Sequence, residues 1–305
     1  MRGRLWLNLL LLLAVAGVGT VAWLQPGKTP KPVAPKLTTI DAATVRRIEF
    51  SPPRGQAFAL LREGKDWFIE QPRLRAQPFR VDTILELLSA DSTARIDPAD
   101  GTDKSFGVDP PLARLRFDAT EIAFGLTNPV GMRRYVRVGD AVHLIDDRYY
   151  HHAASQWPDW VDRRLLPQGV TLTTLELPGF TLNRPDTTWQ ISPERPHATA
   201  DAISALVEEW QRAYAMDVEE AETVPTDAQA VRVVWKAGAL ELAIARDDDE
   251  WLLYRRDAPV RYRFSGNQGK RLLEIQDTAP QTAPGPTPAD IAPVPTPADP
   301  ASAPP

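Results

Sequence analysis

The side chains best suited by type and spacing for chemistry are three histidines near two aspartates. His143 comes first, then Asp146 and Asp147, then His151 and His152. Imidazoles and carboxylates together make a zinc donor set on paper. Adjacent helical positions point about 100° apart, however, so His151 and His152 are poor co-ligands. The favoured reading is of ordinary surface or core histidines, with zinc as the sharper alternative. His197, after Pro196, reads as a solvated loop residue.

Two acidic clusters invite other chemistry. Asp247-Asp248-Asp249-Glu250 suggests calcium but lacks the spacing of an EF-hand loop, and reads as a solvated hairpin tip. Glu219-Glu220-Ala221-Glu222 reads as an exposed acidic loop. Paired carboxylates for glycoside hydrolysis stay open as an alternative, because separations of ~5–9 Å are set by the fold. No G-x-S-x-G elbow, H-E-x-x-H pair or Walker loop occurs. The chain has no cysteine, which excludes thiol nucleophiles, thiolate metal sites and disulfides, and permits an oxidising compartment. A net charge of -5 with scattered arginine pairs leaves no basic footprint for nucleic acid. The expectation is a protein that is not an enzyme and holds no cofactor or metal.

The elements around these residues alternate. Val45–Phe50, Ala57–Arg62 and Trp67–Glu70 read as strands, with a turn at Glu63–Asp66. From Asp82 to Ala90 the period becomes helical, with Ile84, Leu87 and Leu88 on one face and Asp82 in the first turn. Phe106-Gly107-Val108-Asp109-Pro110-Pro111 cannot continue a helix, and the Asp109 carboxylate is expected to accept local N–H bonds. Strands follow at Arg114–Phe117 and Glu121–Phe124. Arg134–Val138 and Ala141–Ile145 then flank Gly139-Asp140, a pair suited to a type II′ hairpin. Arg148–Trp160 reads as helical until Pro158.

The pattern then restarts. Leu172–Leu177 matches Val45–Phe50, Phe180–Arg184 matches Phe58–Arg62, and Trp189-Gln190-Ile191 matches Trp67-Phe68-Ile69. Ala200–Ile203 matches Val81–Ile84 and opens a helix striped by Ile203, Leu206, Val207, Trp210 and Tyr214. Strands at Val231–Trp235, Leu240–Ala245, Trp251–Tyr254 and Val260–Phe264 close the second copy. A spacing of about 120 residues between copies indicates duplicated domains, not a solenoid. Trp67, Trp189, Trp210, Trp235 and Trp251 are expected in a helix-on-sheet core, and Trp157 and Trp160 are expected to be buried.

Leu5–Leu24 carries one polar amide, Asn8, and no charge. Its ~20 residues would span roughly 30 Å as a helix, one hydrocarbon core. Trp6 and Trp23 fall near its ends, and Ala22-Trp23-Leu24 is a poor cleavage site, so a retained signal anchor is favoured over a cleaved signal peptide. The expected fold class is α+β: an N-terminal transmembrane helix, then two tandem repeats of a mainly antiparallel sheet with a packed helix. The expected boundaries are 1–24 for the anchor, 25–36 for a Pro-rich spacer, 37–166 and 167–277 for the repeats, and 278–305 for a disordered Pro/Ala-rich tail.

Several pieces of the chain are similar to the domain of unknown function 4340 family. They are the apolar N-terminus, Trp67–Pro72, Phe106–Pro111 with its Gly107-x-Asp109-Pro110-Pro111 core, Gly125 through Tyr135–Val138, and Asp162–Leu166. Val108 stands where the family has leucine. Members are often encoded beside ABC-transporter components of the gliding-motility type. The resemblance implies an envelope accessory protein and carries no catalytic residues. It implies Gly107, Asp109, Pro110, Pro111, Gly125 and Tyr135 as structural motif residues, to which the hairpin adds Gly139. The expected role is a single-pass accessory or scaffold protein in the bacterial inner membrane, mostly periplasmic. Its partners would be membrane lipid through the N-terminal helix and ABC transporter subunits. The alternatives are an envelope module that binds cell-wall or lipid ligands, and an envelope hydrolase using paired carboxylates.

Overall fold

The computed structural model describes residues 2–24, 34–97, 103–196 and 198–276. Most of the spacer, the tail from 278 and His197 lie outside these residues. The first helix, α1, spans Arg2–Leu24. Its side chains are described at Gly3, Trp6 and from Leu9 to Thr20, and the large apolar ones are exposed. Taken over those side chains, no helix among the described residues is long and apolar enough to cross a membrane.

The chain packs as two units. The first takes residues up to Glu70 and Pro78–Gln156, and the second takes Gln71–Gln77 and the chain from Trp157 onward. Strands β1 (Arg47–Ser51), β2 (Phe58–Glu63) and β3 (Asp66–Ile69) open the first unit, while β4 (Leu74–Arg75) falls in the second. Helix α2 (Pro78–Glu86) tightens into a 3-10 turn at Leu87–Ser89. Then come β5 (Ala94–Ile96), α3 (Asp103–Phe106), β6 (Ala113–Phe117), β7 (Thr120–Asn128), β8 (Arg133–Val138), β9 (Ala141–Asp146) and α4 (Arg148–Ala153). Within this unit the sheet order is β3-β2-β1-β6-β7-β8-β9-β5, antiparallel throughout.

Alternation explains why these segments are strands. In β6, Ala113, Leu115 and Phe117 are buried while Arg114 and Arg116 point to solvent. In β1, Ile48 and Phe50 are fully buried. Val81, Ile84, Leu87 and Leu88 supply the buried apolar face of the helix segment.

The second unit repeats the plan. Its elements are β10 (Leu172–Leu177), β11 (Phe180–Asn183), β12 (Gln190–Ser192), α5 (Ala200–Arg212), β13 (Asp217–Glu220), β14 (Gln229–Trp235), β15 (Gly238–Asp247), β16 (Glu250–Arg255), β17 (Val260–Ser265) and α6 (Gly266–Leu273). The sheet order is β12-β11-β10-β14-β15-β16-β17-β13, again antiparallel. Strand for strand this is the order of the first sheet. In both, the chain leaves the third strand through a helix, lays one short strand at the far edge, and returns to build a four-strand meander towards it. The Thr199 hydroxyl caps α5 by accepting from the Ala202 N–H at 3.2 Å. The Trp210 indole N–H donates to the Leu272 carbonyl at 2.7 Å, tying α5 to α6 over the sheet.

The class is therefore α+β with two antiparallel sheets, and several local expectations are corrected. Helix α2 starts at Pro78, not Asp82, because proline suits the first helical position, where its missing N–H costs nothing. Asp82 is thus past the first turn. Helix α4 stops at Ala153, and Trp157–Trp160 forms a separate 3-10 turn around Pro158. Edge strands β5 and β13 and helix α6 have no counterpart in the sequence reading. Glu219 and Glu220 belong to β13 and not to a loop. Tyr214 lies beyond α5 and is 44% exposed. Trp67 and Trp210 are buried, but Trp189, Trp235 and Trp251 are half-buried. Trp157 and Trp160 are buried as expected. The hairpin at Gly139-Asp140 pairs Val138 with Ala141, and φ is +59° at Gly139 and not positive at Asp140, as a type II′ turn requires.

Candidate functional site

One buried imidazole faces a cleft. His143 on β9 is buried, and its Nδ1 lies 2.9 Å from the Ser92 hydroxyl, which precedes β5. The same hydroxyl donates to the Ala94 carbonyl at 3.1 Å. A serine has one hydrogen to give, so both contacts form together only when His143 Nδ1 carries a proton and donates. That leaves Nε2 as an acceptor. Burial, and then the Arg95 charge, push the His143 pKa below its ordinary value, against a smaller opposing effect of Asp97. The shift favours the neutral ring. The adjoining cleft holds about 510 Å³ and is lined by Lys36, Leu37, Arg95, Thr120, Asp140 and His143 among others. Two of its cations are already paired, Lys36 with Asp91 at 2.8 Å and Arg95 with Asp97 at 3.4 Å.

This arrangement differs from that of an activated serine. A nucleophilic serine needs the acceptor nitrogen of its histidine to take its proton. With Nδ1 protonated, Ser92 instead accepts from His143 and gives its own hydrogen to a carbonyl. What remains is one bare imidazole nitrogen with hydroxyls and apolar walls around it. Such a nitrogen is chemically able to accept a hydrogen bond.

The other chemistry-capable residues disperse. His151 is exposed and His152 half-buried, their rings 5.6 Å apart and inclined at 66°. Burial, then Arg80 and His151, push His152 down to about 4. Among the described residues no three histidine, aspartate or glutamate side chains gather closely enough to hold a metal ion. Asp248 and Asp249 form an exposed two-residue turn between β15 and β16. Glu219 is clamped by guanidinium groups, with Arg261 and Arg263 each at 2.7 Å, and Arg263 continues to Glu250 at 2.9 Å. Burial pushes the Glu219 carboxyl up, but hydrogen bonds from Arg263 and Arg261 outweigh it and hold the pKa low.

The motif residues converge on a packed corner of the first unit. Gly107 follows α3 with φ +68°, its N–H donates to Lys104 O at 3.1 Å, and the Val108 N–H donates to Asp103 O at 3.2 Å. This is a Schellman ending, with glycine at the left-handed position and a buried apolar residue after it. The β7–β8 register shifts between Phe124 and Thr127, which takes Gly125 out of the ladder. A Cβ on Gly125 would overlap the Phe106 carbonyl oxygen and lie 2.7 Å from Val108 Cγ1, so only glycine lets the two segments touch. The Gly125 carbonyl accepts from Arg134 Nη1 at 2.7 Å. Buried Arg134 also holds Asp147 through Nε at 2.6 Å and Nη2 at 3.1 Å, and lies 3.8 Å from the Tyr150 ring centre. Tyr135 packs on Phe106 with ring centres 4.7 Å apart.

Gly107, Gly125 and Tyr135 are therefore brought together, with half-buried Pro111 bridging to Val108. Pro110 and Asp109 are exposed, and Asp109 takes no hydrogen bond from the described residues, contrary to expectation. Gly139 stands apart, beside the histidine cleft.

Sequence reasoning missed Ser92, Arg134 and one recurring device. Glu49, Arg116 and Glu121 face one another across β1, β6 and β7. Arg116 reaches Glu49 at 3.7 Å and Glu121 at 3.4 Å. Glu176, Arg232 and Glu241 do the same across β10, β14 and β15, at 3.3 and 3.8 Å. The same charge triplet at the same strands makes the correspondence of the two sheets one of side chains as well as topology. A Glu–Arg–Glu match at unequal intervals was the available signal.

A family model described as Domain of unknown function (DUF4340) matches residues 67–230, from β3 of the first unit into β14 of the second. Compared with curated proteins and with solved structures, the chain finds no match.

Proposed function

The chain belongs to the DUF4340 family, and from that premise we propose that it is a single-pass, membrane-anchored accessory or scaffold protein of a bacterial envelope, associated with an ABC-type transport system. On this reading α1 crosses the inner membrane and both units lie in the periplasm as a duplicated domain. The observation that carries it is that the uncharged run Leu5–Leu24 falls within one helix, Arg2–Leu24. Such a run is long enough for a ~30 Å hydrocarbon layer. The side chains capable of chemistry are mostly committed to ion pairs and packing, which suits a scaffold. The test has two arms. Full-length chain should remain in membranes after alkaline wash, and the subunits identified with it in mild detergent should include an ABC ATPase or permease. A soluble mature chain beginning near Gln25 would sink the anchor, and an absence of transporter subunits would sink the partner.

A second reading rests on the cleft beside His143. Its neutral imidazole and mixed lining suit an envelope module that binds a small ligand. Ligand-dependent quenching of exchange at β5 and β9, lost in His143→Ala, would favour it.

A further inference from the structure

The equivalent hairpins of the two units have diverged at their tips. In the second unit, β15 and β16 pair to Asp247–Glu250 and close over two residues, Asp248 and Asp249. In the first unit, β7 and β8 pair to Asn128–Arg133 and close over Pro129, Val130, Gly131 and Met132. The longer tip is apolar where its twin is acidic. Val130 is 82% exposed and Met132 68%, with Leu126 at the bulge 47% exposed on the same hairpin. The loop is held by its own bonds, since Asn128 Oδ1 accepts from the Val130 N–H at 2.8 Å. Its apolar groups are thus presented to solvent by a formed turn. The twin shows that this fold closes the hairpin without them. Behind the tip is Arg133, half-buried, whose guanidinium has no ion-pair partner among the described residues.

We infer that the Pro129–Met132 tip inserts into the headgroup layer of an anionic bilayer, with Arg133 meeting lipid phosphate. A projecting tip of two or three side chains offers far less than the ~800 Å² per partner that a specific protein interface buries. A bilayer interface takes up apolar side chains one at a time and rewards an adjacent cation. The acidic tip of the second unit would be repelled by the same surface. The inference rests on the membrane-anchor reading, which brings the first unit near lipid.

The absence of native cysteine allows single labels. Full-length Met132→Cys and, as the twin control, Asp248→Cys are labelled with a polarity-sensitive fluorophore and reconstituted in phosphatidylglycerol/phosphatidylcholine vesicles. The expected result is a blue shift and quenching by nitroxide-bearing lipid at position 132 and neither at 248. Adding Arg133→Gln should weaken the quenching, and salt should do the same. Two water-exposed labels on protein that floats with the vesicles overturn the inference and leave the anchor standing. A label at 132 shielded from both water and lipid quencher overturns it in favour of a protein contact. Protein that fails to float with the vesicles overturns the anchor reading and this inference with it.

Discussion

Replacing Gly125 with alanine tests the packed corner most directly. The added methyl would meet the Phe106 carbonyl and approach Val108 Cγ1 at 2.7 Å. Neither neighbour can retreat easily, because Phe106 ends α3 in the Schellman turn and Val108 is fully buried. Over-packing of this kind costs about 3 kcal/mol. Gly125 does not have a positive φ, so the cost is steric alone. Gly139 offers the opposite case, with φ +59° and nothing within 4 Å of an added Cβ. Gly139→Ala should cost only backbone strain, about 1 kcal/mol. The assay is hydrogen exchange read by mass spectrometry, which separates the two units where a single melting curve would not. A loss of about 3 kcal/mol speeds exchange through opening of β7 and β8 by roughly 100-fold, at 1.4 kcal/mol per factor of ten. Strands β15 and β16 serve as the internal control and should not change. If Gly125→Ala exchanges no faster than Gly139→Ala, close packing does not hold this corner and the reasoning fails.

Other substitutions separate buried from exposed charge. Arg134→Met should cost about 3–4 kcal/mol by stranding Asp147 and the Gly125 carbonyl, and Arg134→Lys should recover little because one ammonium cannot reproduce the fork; urea unfolding of both variants checks this. Arg116→Gln, which breaks the half-exposed triplet, should cost no more than about 1 kcal/mol in the same assay, and a larger loss would make that charge row structural. His152 has a folded pKa of about 4 against an ordinary 6.5, so the unfolded chain binds more protons between those values. Its contribution is therefore complete above pH 6.5 and is lost as pH falls towards 4. Discounted for a half-solvated ring, the loss is about 1 kcal/mol, and the difference in melting temperature between wild type and His152→Gln should shrink over that window.

Much of the architecture is local and was readable along the chain. Two-residue alternation marked β1, β2 and the meanders, Gly139-Asp140 specified its turn, and the recurrence of Trp-x-Ile ahead of a helix announced two copies. These follow from backbone sterics and from burial of one face, which act within a few residues. The edge strands β5 and β13 were invisible because three or four residues carry no period, and their pairing is supplied by the last meander strand far along the chain. The same limit hid the site. Ser92 and His143 are 51 residues apart, and only the crossover that lays β5 against β9 brings the Ser92 hydroxyl to Nδ1. Gly107 and Gly125 could be read as motif glycines, yet which atoms demand them depends on a bulge that turns one carbonyl towards Arg134. The sequence by itself determined the longer strands, the repeated pattern and the apolar run in α1. Tertiary structure decided which polar groups are consumed in packing and which stay open, because that depends on contacts made across the sheet.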